Sequence, residues 1–178
     1  MEELDAAFAE TGFPCVLKSQ VLRGGRGKAG LIRVAGDAET GKKEAGELFA
    51  SGHNVRMLLV EQAVDIAREI YLSMTVDPVS GTALLMGCAE GGVDIESLAA
   101  TQPEKIVRVH VDMAEGLGGY HVNNLIYGMG LSGEEAKQVG AAARGLYKVF
   151  RARDAQLAEI NPLFITKDGH CLLYTSPS

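Results

Sequence analysis

The chain has no tryptophan, and aromatic residues of every kind fill only 6% of its 178 positions. That leaves no stacking platform of the sort that single-stranded nucleic-acid binders use. Basic charge is also in deficit: 17 Lys and Arg against 23 Asp and Glu give a formal net charge of −6. A chain of that sign is a poor match for nucleic acid or an anionic membrane surface. Cysteine is scarce, and Cys15, Cys88 and Cys171 are odd in number and widely spaced. They form neither a disulfide framework nor a metal cluster, which fits a reducing cytosol. His53, His110, His121 and His170 lack ligand spacing and read as ordinary packing or surface residues. No apolar run approaches the ~20 residues that span a bilayer. The start, MEELDAAFAET, has neither the basic nor the apolar region of a secretory signal.

What is present is a globular composition, with 47% hydrophobic and 22% charged residues. That is enough apolar material for a packed core, in one domain or two small ones. The stretch KSQVLRGGRGKAG, residues 18–30, stands out. A strand-like alternation over 15–21 runs into a loop with four glycines, two arginines and a second lysine between Arg23 and Gly30. Glycine permits positive φ and close backbone approach. Successive amides in such a loop form an anion-binding concavity. Lys18, Arg23, Arg26 and Lys28 add positive charge, so a polyanion such as a nucleoside triphosphate is the natural guest.

Other readings of this loop fare worse. A P-loop needs Gly where Leu22 stands and Ser or Thr where Ala29 stands. Gly25 to Gly30 satisfies G-x-G-x-x-G literally, but that motif opens a helix, and the following Leu31-Ile32-Arg33-Val34 is strand-like. An arginine–glycine nucleic-acid segment would sit in a basic, low-complexity setting. A flexible hairpin with incidental charges remains the bland alternative to a lid over phosphates.

Along the chain, helical spacing over 2–11 precedes the strand at 15–21, and a second strand at 31–35 follows the loop. Asp37 can cap a helix reaching residue 49. Strands are expected at 55–60, 69–76 and 82–89, the last two joined by the turn Asp77-Pro78-Val79-Ser80-Gly81. Asp94 can cap a helix at 95–100, and a strand follows at 105–111. Val122, Leu125, Ile126 and Met129 recur at helical spacing. Ser132-Gly133-Glu134-Glu135 has capping-box form. It opens a helix whose Ala136, Val139, Ala143, Leu146, Tyr147 and Phe150 share a face. A hairpin of 157–166 and 170–174 closes the chain. The pattern predicts an α+β fold, with no composition shift and no repeat.

Glu61, where an apolar strand breaks off, and Glu69 are candidates to hold an adenine and a ribose hydroxyl, though carboxylates at strand ends are usually just solvated. Glu90-Gly91-Gly92 reads equally as a turn or as a place for close backbone approach. Glu159 and Asn161 fall on one face of a strand by its period of two. Their oxygens suit a hard cation such as Mg²⁺. The alternative is an edge strand with a wet face. Tyr71 and Met74 read as packing.

The stretches VLKSQVLRGGRGKAG, LLVEQAVDIAREIYLSMTVD, CAEGGVDIE and LAEINPLFITKDG, in that order, cover residues 12–170 or so. Together they resemble the ATP-grasp region of the β subunit of succinate–CoA ligase. The resemblance implies two α+β lobes clasping a nucleotide, with residues 1–178 as one ATP-grasp nucleotide-binding domain. It implies that Lys18, Gly25, Arg26 and Gly27 hold phosphates, Glu61 lies at the adenine hinge, Glu69 at the ribose, and Asn161 on Mg²⁺. Val64 stands where some relatives have Thr or Ser near the nucleotide. Glu159 matches a catalytic acid near the phosphohistidine loop of the partner α subunit.

The implied activity joins succinate to coenzyme A at the expense of ATP or GTP in the citric acid cycle, through a phosphohistidine on that α subunit. A malate–CoA ligase or other acid–thiol ligase is the nearest alternative, and a non-catalytic nucleotide-binding or assembly module a more distant one. Neither nucleic acid nor membrane is an expected partner. The resemblance also implies a fragment, incomplete at both ends, without the C-terminal ligase domain and inactive alone, with an atypical tail at 172–178. An aspartate that the family places on Mg²⁺ falls at about Thr175, so weak metal binding is expected.

Overall fold

The computed structural model describes residues 2–22, 25–92 and 94–173. They form two compact units divided after Val64, a boundary that no change in composition announces.

The first unit opens with α1 (Glu2–Thr11), continues through β1 (Cys15–Ser19), β2 (Ile32–Ala35) and α2 (Ala38–Ala50), and ends on β3 (Leu58–Gln62). The three strands form an antiparallel sheet in the order β2-β1-β3. Alternation along β1 sends Cys15, Leu17 and Ser19 into the core, leaving Val16 and Lys18 on the other face. Phe8 of α1 and Ala45 and Leu48 of α2 close that core over Leu17, Leu31 and Val55. Each large side chain so buried stabilises the unit by roughly 1.5–3 kcal/mol. Gly41 is what lets α2 approach: a Cβ there would lie 2.5 Å from the Phe8 ring. Asp37 caps α2 as expected, accepting from the Thr40 N–H at 2.8 Å, and that hydrogen bond holds its carboxyl below the usual range.

The second unit is a five-stranded antiparallel sheet, ordered β6-β5-β4-β7-β8. Its strands are β4 (Ile66–Val76), β5 (Ala83–Cys88), β6 (Val107–Val111), β7 (Leu157–Thr166) and β8 (Cys171–Leu172). α4 (Gly119–Gly128) and α5 (Gly133–Ala152) pack on one face, where Ile70, Leu72, Met74, Leu85, Leu163 and Ile165 meet Leu125, Val139, Leu146 and Phe150. α3 (Ile95–Thr101) covers part of the other face, over Tyr71 and Cys88. A short 3-10 turn, Pro103–Lys105, leads from α3 into β6.

Several boundaries differ from expectation. β1 stops at Ser19, although the Gln20 N–H still donates to Met57 O at 2.9 Å, in register with the β1–β3 pairing. β3 begins at Leu58 rather than 55 and carries through Glu61, which pairs with Val16. β4 begins at Ile66, so Glu69 lies inside a strand and opposite Phe164. The capping box before α5 does not form: Ser132 makes no side-chain cap, and Glu135 instead bonds Arg68 at 2.9 Å. An ion pair to the neighbouring strand outcompetes the local backbone donor. The expected strand position at Tyr174, and Thr175 with it, lie outside the described residues.

Candidate functional site

In the first unit, Lys18 and Glu61 sit on adjacent strands, on the sheet face turned away from the core. Glu61 opposes Val16 and Lys18 opposes Leu59, so the two side chains are diagonal neighbours, within reach across the ladder. They form an ion pair between Lys18 Nζ and Glu61 Oε2, with side chains only 13% and 23% exposed. Two of the expected nucleotide residues are thus brought together, and the Glu61 carboxylate faces a lysine rather than open solvent.

The glycine stretch does not sweep out as an open hairpin. Ala29 N–H donates to Gly25 O at 3.0 Å, Gly30 N–H to Gly27 O at 3.0 Å and Leu31 N–H to Arg26 O at 2.9 Å. The turn is therefore closed on itself, and it ends where Ser19 N–H takes up Leu31 O at 2.9 Å. Gly25 and Gly30 have φ of +68° and +67°, which explains glycine at both. At Gly27 neither reason applies, since its φ is not left-handed and a Cβ would meet nothing within 4 Å. Arg26 Nη1 donates to Ser19 O at 3.0 Å, which draws its guanidinium toward the end of β1 and Lys18. Val64, half-buried, is the last residue of this unit, and it follows Ala63, whose N–H donates to Pro14 O at 2.9 Å.

In the second unit, Glu69, Asn161 and Glu159 are held by β4, β7 and the segment after β5. Period-two alternation puts Glu69, Tyr71 and Ser73 on the face that α3 partly covers. Ser73 pairs with Glu159, Leu72 with Ile160 and Ile70 with Leu163. Asn161 and Pro162 therefore both stand opposite Tyr71, a bulge of one extra residue on β7. The bulge reverses the parity of the strand, so Leu163 enters the large core while Glu159 and Asn161 stay exposed on the other side. The expectation that Glu159 and Asn161 share a face holds on this register.

Gly91 and Gly92 join these elements. Gly91 N–H donates to Glu69 O at 2.7 Å, and Gly92 N–H donates to Asn161 Oδ1 at 3.2 Å. A Cβ at Gly91 would come within 2.6 Å of the Ile70 backbone nitrogen, and one at Gly92 would collide with the Glu69 carboxylate. Close backbone approach is thus the reason for glycine at 91, while at 92 the backbone φ of +66° favours it. Just upstream, Glu90 Oε1 pairs with Lys105 Nζ at 2.7 Å, and that hydrogen bond raises the lysine's pKa. Tyr71, 2% exposed, donates its hydroxyl to Glu159 Oε2 at 3.2 Å. Burial is the main cause that pushes this phenol above its ordinary pKa.

Sequence reasoning gave Tyr71 only a packing role and left Gly91-Gly92 undecided. The signal for Tyr71 was its place two residues beyond Glu69, on the same strand face. The donor set here is one amide oxygen and carboxylates, the hard-oxygen type that Mg²⁺ accepts when substrate phosphates and water complete its shell. Among the described residues, no three His, Cys, Asp or Glu side chains gather into a metal cluster. His121 is buried and accepts from the Gly118 N–H at 2.9 Å, an ordinary structural histidine. Among the described residues, no helix is long and apolar enough to cross a membrane.

Comparison with known proteins adds four findings. Residues 1–165 match the family model described as the ATP-grasp domain. The chain is 76% identical over 172 residues to the ADP-forming sulfoacetate–CoA ligase subunit SauC of Bilophila wadsworthia, covering 97% of this chain and 46% of that protein. It is 47% identical over 171 residues to the ADP-forming succinate–CoA ligase subunit beta of Rubrobacter xylanophilus, covering 94% and 45%. The chain thus spans about half the length of the curated relatives it matches. Among solved structures it resembles the dinucleotide-forming acetyl-coenzyme A synthetase 1 of Ca. Korarchaeum cryptofilum in complex with coenzyme A and Ca-AMPCP. The TM-score is 0.68 at 16% identity, over 92% of this chain and 75% of that one, a likeness of fold.

Proposed function

The chain belongs to the ATP-grasp domain family, and from that premise we propose that it is the nucleotide-binding part of the β subunit of an ADP-forming acid–CoA ligase. The observation that carries the reading is that Gly91 N–H donates to the Glu69 main-chain carbonyl and Gly92 N–H to Asn161 Oδ1, which brings β4 and β7 together at this segment. The Asn161 amide oxygen, and the Glu69 carboxylate that lies beside Gly92, suit a phosphate-bound cation and a ribose hydroxyl. In the other unit, Lys18 and Arg26, with the amides near Gly27, suit the phosphates. Glu61 and Val64 belong beside the base in this reading.

Mg²⁺, when bound by Asn161 and phosphate oxygens, supplies neutralisation of phosphate charge. Phosphoryl transfer asks positioning and electrostatics of the protein more than covalent chemistry. Lys18 and Arg26 orient the triphosphate. Glu159 receives a histidine carried by a partner α subunit, the acceptor of the phosphoryl group. The phosphohistidine then phosphorylates the carboxylic acid, and coenzyme A displaces phosphate from the acyl phosphate. A cytoplasmic setting follows from this chemistry.

The acid is best read as sulfoacetate, on the strength of the 76% identical relative. Succinate, in the citric acid cycle, is the second reading, which the 47% identical relative favours. Both are short acids carrying a second anionic group. The test is ADP release by the full-length protein with its partner subunit, coenzyme A and Mg-ATP, with sulfoacetate, succinate or malate in turn. Turnover with sulfoacetate well above the other two is expected. No acid-dependent ADP release with any of the three would overturn the ligase reading.

A further inference from the structure

We propose that Tyr71 is a positioning residue that locks the Glu159 carboxylate in the orientation from which it receives a donor on the partner subunit. This rests on the ligase reading above. Tyr71 is 2% exposed and its ring packs with Cys88, Leu98 and Ile106, so α3 clamps it to the sheet. A buried phenol needs an acceptor, and this one donates to Glu159 Oε2 at 3.2 Å. The buried hydroxyl of Ser73, directly opposite Glu159 in the ladder, adjoins the same phenol.

The two ends of this hydrogen bond differ sharply in burial. Glu159 is exposed, and an exposed glutamate ordinarily samples many rotamers, at a cost in entropy each time one is selected. The Tyr71 ring is packed in a core cluster, which restricts its rotamers. The bond therefore transmits the rigidity of the core to one surface carboxylate. With Oε2 engaged by the phenol, Oε1 is the oxygen left to accept an incoming N–H.

The chemistry this serves is phosphoryl transfer to an imidazole. One ring nitrogen attacks the γ-phosphorus with its lone pair, the P–O bond to the β-phosphate breaks, and the electron pair leaves on ADP. The other ring nitrogen keeps its proton, bonded to the Glu159 carboxylate, which fixes the ring orientation and stabilises the charge that forms. A carboxylate free to swing would hold that ring only part of the time.

The experiment is single-turnover formation of phosphohistidine in the assembled ligase, full-length chain with its partner subunit, for wild type, Tyr71→Phe, Glu159→Ala and the double variant. Tyr71→Phe keeps the ring and its packing, and thermal melting checks that it folds. The expected result is phosphorylation slowed by about tenfold or more in Tyr71→Phe, as fits loss of one hydrogen bond to a charged group. Mg-ATP affinity should be unchanged, and Glu159→Ala should be no slower when Tyr71→Phe is added. Wild-type speed in Tyr71→Phe, or losses that multiply in the double variant, would overturn the proposal. So would a full-speed Glu159→Ala. A wild-type assembly that binds Mg-ATP yet forms no phosphohistidine would instead overturn the ligase reading beneath it.

Discussion

Replacing Gly91 by alanine tests whether the segment after β5 is truly wedged against β4. The added Cβ would lie 2.6 Å from Ile70 N, 2.7 Å from Ile70 C and 2.8 Å from Glu69 C, all backbone atoms. Backbone cannot swing aside as a side chain can. Reaching an ordinary contact of 3.4 Å from 2.6 Å requires a shift of 3.4 − 2.6 = 0.8 Å. Such a shift would stretch the 2.7 Å bond from Gly91 N–H to Glu69 O to about 3.5 Å, beyond a useful hydrogen bond. Overpacking costs about 1–3 kcal/mol and the lost bond about 0.5–1.5 kcal/mol. The expected destabilisation is therefore about 1.5–4.5 kcal/mol, a large share of the ~5–15 kcal/mol typical of a folded domain. Gly145→Ala is the control: it lies within α5, and a Cβ there meets nothing within 4 Å. That change should stabilise by up to about 1 kcal/mol. Urea denaturation followed by far-UV circular dichroism reads both. Equal stability of the two variants would refute the wedge.

Three further outcomes are expected. Glu69→Gln should weaken ATP binding on the order of tenfold while leaving inorganic triphosphate binding unchanged, if its contact is to ribose; equal weakening of both ligands would move Glu69 to the phosphates. Thr175→Asp should raise the enhancement of ATP affinity by Mg²⁺, because the family resemblance puts a metal-binding aspartate at about this position and a carboxylate suits a hard cation better than a neutral hydroxyl; a strong Mg²⁺ effect already present and unaltered would refute this. Asp77 accepts from the Ser80 hydroxyl at 2.6 Å and the Val79 N–H at 3.1 Å, and the Ser80 bond is the main cause holding its carboxyl below the usual range. A pKa lower in the folded state gives stability that is present above the ordinary Asp value and lost as pH falls through the folded one. Urea midpoints of wild type should therefore fall more steeply than those of Asp77→Asn below about pH 4, and parallel curves would contradict it.

Much of this was legible in the sequence because it rests on local rules. Asp37 and Asp94 announced their helices by cap chemistry and bond Thr40 and Ser97 as expected. The apolar face of α5 was legible from a period of 3.6. Glu159 and Asn161 were placed together by a period of two. What escaped depends on contacts between strands distant in sequence. Nothing near Tyr71 announces that a carboxylate 88 residues away will be its acceptor. The β7 bulge depends on register against β4, which periodicity within one strand does not reveal. Lys18 and Glu61 were each legible as candidates, but their pairing needed β1 and β3 side by side. The capping-box pattern at Ser132 marked the start of α5 correctly, but its side-chain bonds do not form, since Arg68 arrives from a strand to pair with Glu135.

The most direct test of the central claim, that this chain binds a nucleotide through Lys18 and Arg26, is calorimetric titration with Mg-ATP. Wild type, Lys18→Ala and Arg26→Ala should be compared after circular dichroism shows all three folded. The account predicts saturable binding by wild type, weakened in each variant on the order of 1.5–3 kcal/mol, the range for a hydrogen bond to a charged group. Unchanged affinity in both folded variants, or no binding of any nucleotide by folded wild type, would contradict it.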